Sequence, residues 1–252
     1  MVNWNKALDL VYPENLYCSC CGDTMQQNRI YGICDTCAEK MVWFTGNPFR
    51  SQMEDFAFSE VLPCCYYGFM ARRIVSRMKL SGTSYSAKGI GLLLAERLKQ
   101  ELARPEYQPD ALLAVPMHKE KRRMRGFNQT ELLAGAISSE TGIPFWQDAV
   151  RKTKATQSMR MSDAVTRRQA LEDAMQVNPA FTELVRGRHL IVVDDVVTTG
   201  STVDALSRVL LSAGAKQVDV LCFAITPNLH WNGEEDGEAA PLEFSAFHDL
   251  SQ

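Results

Sequence analysis

Two adjacent carboxylates, Asp194 and Asp195, are followed by Val196-Val197 and then by a hydroxyl-rich run, Thr198-Thr199-Gly200-Ser201-Thr202. Backbone N–H groups of such a run, set at the start of a helix, point into a concavity that favours a phosphate. Its hydroxyls add donors, and Gly200 lets the backbone approach a ligand closely. Carboxylates facing that anion would repel it, so the pair must hold something else, either sugar hydroxyls or a water-coordinated Mg²⁺. The chemistry asked for is the capture of a phosphorylated sugar by its phosphate and its hydroxyls together.

A second constellation is Cys18-x₂-Cys21-x₁₂-Cys34-x₂-Cys37. Two CxxC pairs present two thiolates each on tight turns, and the dozen residues between them suffice for a hairpin. That spacing closes a tetrahedral Cys₄ Zn²⁺ site with no open position, so the metal is structural. Gly22 and Gly32 suit the turns, and Cys20 is a spare thiol. Disulfides are the alternative, but no export signal places these cysteines in an oxidising compartment.

Charge supplies the third. Residues 117–129 hold Lys119, Lys121, Arg122, Arg123 and Arg125 against one acid, Glu120, and close on Arg125-Gly126-Phe127-Asn128-Gln129. A basic loop after a strand is where a pyrophosphate would be neutralised, so Arg122, Arg123, Arg125, Gly126, Asn128 and Gln129 are candidate contacts for pyrophosphate or nucleic-acid phosphates. The bland alternative is a solvated basic loop. Residues 151–168 carry six more cations, Lys154 and Arg160 among them, and one acid, Asp163. They suit either a lid that orders over a polyanion or a plain flexible connection. The histidines show no ligand spacing.

Elements must position these groups. Leu190-Ile191-Val192-Val193 reads as a parallel strand buried on both faces, ending at the acids. Ser201–Ala213 has helical spacing closed by Gly214, and Val218–Ile225 reads as the next strand. Strand, loop, helix, strand is a βαβ unit, whose ligands bind at the carboxyl ends of the strands. The pattern repeats upstream: strand at 109–116, basic loop, helix at 130–141. Helices are also expected at 67–80 and 87–102. The boundaries expected are 1–50 for a zinc ribbon and linker, 51–230 for the α/β domain, and 231–252 for an acidic extension. That tail carries six acids and no lysine or arginine, so the net charge of −3 hides a positive remainder; a solvated extension is the simpler reading, competition with anions for the basic surface the other. No apolar run reaches the length of a membrane span, and residues 1–17 lack a signal peptide's basic and apolar regions. The expectation is a cytoplasmic protein with no membrane insertion.

All of residues 190–202 fit the 5-phosphoribosyl-1-pyrophosphate (PRPP) motif, and the sequence thereby resembles the type I phosphoribosyltransferases. The resemblance implies that Asp194 and Asp195 hold the ribose hydroxyls, as the catalytic acids, and that Val196, Val197, Thr198, Thr199, Gly200, Ser201 and Thr202 surround the 5′-phosphate. Over residues 15–228 the chain also resembles the ComF/GntX-like competence and DNA-utilisation proteins, through the Cys₄ ribbon, Val115-Pro116-Met117, the 125–129 signature, Gln157, Arg167 and the 193–202 stretch. This implies a type I phosphoribosyltransferase-like α/β fold with a zinc-bearing hood, PRPP bound with Mg²⁺, and a role in handling incoming DNA, with single-stranded DNA and DNA-uptake proteins as partners. The phosphate half of a transferase site is legible and the acceptor half is not. A phosphoribosyltransferase with an unassigned acceptor and a non-catalytic accessory that senses PRPP or binds single-stranded DNA are therefore the two readings.

Overall fold

A computed structural model of the chain describes residues 17–25, 31–46, 49–50, 56–80, 84–154 and 169–226. Its elements in chain order are α1 (Asp35–Ala38), β1 (Phe49–Arg50), β2 (Glu60–Tyr66), α2 (Phe69–Leu80), α3 (Ser84–Leu102), β3 (Ala111–Ala114), α4 (Lys119–Arg125), α5 (Gln129–Thr141), β4 (Val150–Lys152), β5 (Met175–Val177), α6 (Thr182–Val185), β6 (His189–Val197), α7 (Ser201–Ser212) and β7 (Gln217–Ile225). The acidic extension, Arg160, Gln157 and Arg167 lie outside the described residues.

Five strands form one sheet in the order β1-β2-β7-β6-β3, parallel throughout except for the edge strand β1. Helices cover both faces. Ile191 and Val193 of β6 enter a core shared with α2, α3 and α5, whereas Leu190 and Val192 enter one shared with α7. Burial on both sides explains why this strand is an unbroken apolar run and not an alternating one. The expected parallel α/β architecture is present, and the helices foreseen in the sequence occur within a few residues of their expected bounds.

Three local expectations change. The strand expected to end at Val193 continues to Val197, because Val196 and Val197 pair with Ala224 and Ile225 of β7; the acids therefore sit within the strand and not beyond its end. The basic stretch 117–129 is not a loop throughout. Lys119–Arg125 forms α4, capped by the His118 side chain on the Glu120 N–H and closed by Gly126 at φ 82°, in keeping with the helix propensity of Lys, Arg, Met and Glu. Finally, β4 and β5 form a separate antiparallel ribbon that pairs Lys152 with Met175. It joins the start of the segment read as a lid or a connection to residues that follow that segment.

The cysteine-bearing segment shares the main core. Ile33, Ala38, Met41 and Trp43 belong to the same buried cluster as Leu62, Ile74, Met78 and Leu94. Each such side chain contributes roughly 1.5–3 kcal/mol by leaving water, so the segment is held by packing as well as by whatever its thiols bind. Among the described residues no helix is long and apolar enough to cross a membrane.

Candidate phosphosugar site and candidate metal centre

Strand alternation sends the two acids to opposite faces of the sheet. Asp194, on the α7 side, lines a small concavity with Val196–Val203. Gly200, at φ 71°, precedes α7 and gives it no side-chain cap; the Ser201 N–H meets the Thr199 hydroxyl at 3.5 Å, and the N–H groups that follow it in the first turn point toward an anion. The hydroxyls of Thr199 and Ser201 lie 2.9 Å apart. The base of the loop is fixed from β7: the Thr226 N–H donates to the Val197 carbonyl (3.0 Å) and its hydroxyl to the Thr198 carbonyl (2.8 Å).

Half-buried Asp194 accepts a hydrogen bond from the Asp195 N–H at 2.8 Å. Removal from water, together with the adjacent Asp195 carboxylate, nonetheless lifts its carboxyl well above the usual range. The folded chain then holds this proton more tightly than the unfolded chain does. Stability from this group is present at low pH and is lost as pH rises through the raised value. Asp194→Asn, neutral at every pH, is expected to unfold at a higher temperature than the parent near and above neutrality, with the gap closing in acid. Parallel pH profiles for the two proteins would contradict this assignment.

Asp195, 6% exposed, faces the other side. Its Oδ2 is 2.7 Å from the Lys79 ammonium of α2 and accepts from the Gln129 amide at 3.2 Å. Gln129 is oriented in turn by Arg125, whose guanidinium donates to the Gln129 Oε1 at 3.2 Å, leaving only the NH₂ for the acid. Two further cations stand close. Burial, then Arg125 and Lys79, push the Lys121 amine down, and burial with Lys121 does the same to Lys152. Lys79 thus pairs with Asp195 directly, Arg125 acts on it through Gln129, and Lys121 and Lys152 extend the basic surface beside them.

The other residues of the basic set are placed differently. Asn128 caps α5 through the Thr130 N–H and donates to the Val115 carbonyl at 3.1 Å, so its amide joins the signature to the end of β3. Gly126 supplies the left-handed end of α4. Arg122 is paired with Glu131 at 2.7 Å. Arg123 and Lys154 are exposed. Sequence reasoning did not single out Lys79. The signal was its spacing: it falls four residues after buried Val75, on the same side of α2.

The sulfurs of Cys18, Cys21, Cys34 and Cys37 all lie within 4.8 Å of one another, a set that can hold a metal ion. Cys18 Sγ accepts from the backbone N–H groups of Cys20 and Cys34, each at 3.3 Å. Burial raises that thiol, yet these backbone donors outweigh it and bring it down to about 7; burial pushes Cys21 to about 11 and Cys37 to about 12. Arg77 of α2 clamps the first turn, its guanidinium donating to the Cys18 and Cys21 carbonyls at 3.4 and 3.1 Å. Gly22 is required there: its φ is +86°, and a Cβ would lie 2.5 Å from an Arg77 nitrogen. Cys20 is outside the cluster, fully buried with its sulfur 3.3 Å from Met70 Sδ. All eight cysteines are free of disulfides.

The phosphoribosyl transferase domain family matches residues 130–235. DNA utilization protein YhgH of Escherichia coli O157:H7 is 34% identical over 154 residues, which are 61% of this chain and 66% of that protein, just under two thirds of the relative's length. Competence protein F of Haemophilus influenzae is 24% identical over 213 residues, 84% of this chain and 91% of the relative. Competence protein ComFC of Bacillus subtilis is 25% identical over 240 residues, 89% of each chain.

Proposed function

This chain belongs to the ComF-like family, with a type I phosphoribosyltransferase-like α/β fold, and we propose that it binds PRPP with Mg²⁺ at Asp194–Thr202 in the service of DNA utilisation. The observation that carries the proposal is the concavity lined by Asp194 and Val196–Val203 at the start of α7. The N-terminal turn of α7 and its hydroxyls take the 5′-phosphate, and Asp194 and Asp195 take ribose hydroxyls. The neighbouring cations Lys79, Lys121, Arg125 and Lys152 take the pyrophosphate. Hard carboxylate oxygens fit Mg²⁺, which when bound would neutralise charge on the pyrophosphate. In a transferase the same lysines stabilise pyrophosphate as it departs from the sugar. The four clustered thiols fit Zn²⁺, which we assign to them as a structural ion.

A second reading is favoured by one surface. At the start of α2, Arg73 lies over the Phe69 ring and Arg72 over the Tyr67 ring, each 5.7 Å from the centroid, with Phe69 69% exposed. Exposed Phe69, beside half-buried Tyr67 and the two arginines, offers a stacking platform for single-stranded nucleic acid.

One experiment addresses both. PRPP with Mg²⁺ is expected to raise the unfolding temperature, and pyrophosphate release is followed across a panel of nitrogenous bases, amines and single-stranded oligonucleotides. Release with one acceptor class identifies a transferase, whereas stabilisation without release identifies a sensor. Absence of any stabilisation by PRPP removes the site reading. Oligonucleotide binding is expected to weaken steeply as salt rises; salt-insensitive or undetectable binding removes the second reading.

A further inference from the structure

Asp195 is not free to receive a ligand as it stands. Its Oδ2 already takes the Lys79 ammonium at 2.7 Å and the Gln129 amide at 3.2 Å. Gln129 is fixed by Arg125 and by its place in the first turn of α5, so it cannot leave easily. Lys79 differs. It sits near the C-terminal end of α2 with its side chain 30% exposed, on a flexible four-carbon stem that carries a compact point charge. Lys121 and Lys152 stand nearby and repel one another, so the region carries more positive charge than Asp195 can balance.

We propose that Lys79 is an exchangeable counter-ion: in the free protein it holds Asp195, and when a divalent cation and a diphosphate arrive it yields the carboxylate and moves onto the diphosphate. This rests on the PRPP reading and adds to it a reason for ordered loading. A bare cation must compete with Lys79 for Asp195, and a cation that brings a diphosphate offers the lysine a new partner. Cation and diphosphate therefore bind as a pair better than either does alone, and the acid is never left unpaired in a buried setting, where an isolated charge is costly. Gln129, which keeps its contact in both states, preserves the orientation of the acid during the exchange.

The test separates the two ligands. Binding of inorganic pyrophosphate without metal, and of Mn²⁺ without phosphate, is measured by calorimetry on the parent and on Lys79→Gln. The variant is expected to lose roughly tenfold in pyrophosphate affinity, as one charge-assisted contact disappears, and to bind Mn²⁺ several-fold more tightly, because an ammonium beside the carboxylate opposes a second cation. Lys79→Met, which keeps the aliphatic stem, is expected to move both affinities the same way and serves if Lys79→Gln does not fold. Opposite shifts support the exchange; a purely structural lysine would lower both affinities together, and that result, or no change in either, overturns it. If the parent binds neither PRPP with Mg²⁺ nor pyrophosphate, the PRPP reading itself fails. If the parent binds PRPP with Mg²⁺ and the variants match it, only the role of Lys79 does.

Discussion

Asp194→Asn combined with Asp195→Asn is expected to weaken PRPP–Mg²⁺ binding by at least tenfold, an order of magnitude that follows from losing two charge-assisted hydrogen bonds at roughly 1.5–3 kcal/mol each. The substitution keeps the size of both side chains and the carbonyl that accepts the Asp195 N–H, so the strand should form as before. Isothermal titration checks affinity, and the unfolding temperature serves as the control. PRPP with Mg²⁺ should raise that temperature in the parent and leave the double variant unmoved. Equal stabilisation of the two proteins would place the phosphate site elsewhere. Thr199→Val should weaken binding less, because the backbone donors at the start of α7 remain.

Loss of the metal is expected to have the largest effect on stability. Cys21→Ser, or a strong chelator, should lower the unfolding temperature by on the order of 10 °C or more, since structural zinc sites contribute binding free energy directly to folding. The effect should not stay local, because Ile33, Ala38 and Trp43 pack in one cluster with Ile74 and Leu94. Cys20→Ser should retain the metal and lose only about 1–3 kcal/mol, the cost of burying a hydroxyl against Met70. Elemental analysis distinguishes the two. A Cys20→Ser protein as metal-poor as Cys21→Ser would overturn the ligand assignment. Acid should strip the metal: without it burial holds the Cys21 and Cys37 thiols at about 11 and about 12, so metal binding displaces protons and weakens as they become more abundant.

Much of this site was legible in the sequence because its chemistry is local. A loop suited to phosphate needs consecutive N–H groups, hydroxyls and one left-handed glycine within a few residues, and Gly200 at φ 71° meets that need with neighbours from its own segment. The two CxxC pairs, likewise, are local turns whose spacing already implies a closed cluster. The apolar run before the acids signalled a strand buried on both faces.

Tertiary structure decided what local spacing does not encode. Where β6 ends depended on β7 offering Ala224 and Ile225 as partners, and the short β4–β5 ribbon exists only by pairing across more than twenty intervening residues. The same holds for the acids. By sequence Asp194 and Asp195 are a matched pair, but the pleat turns them to opposite faces, one into the concavity at the start of α7 and the other toward α2 and α5. Lys79 lies 116 positions before Asp195 in the sequence, and no periodicity along α2 could name that partner. The sequence alone determined which loop offers consecutive donors and which four thiols cluster, because those groups act through neighbours close by in the chain. Only the packing of helices on the sheet decided which cation holds Asp195, because an ion pair depends on distance in space and the chain records only order.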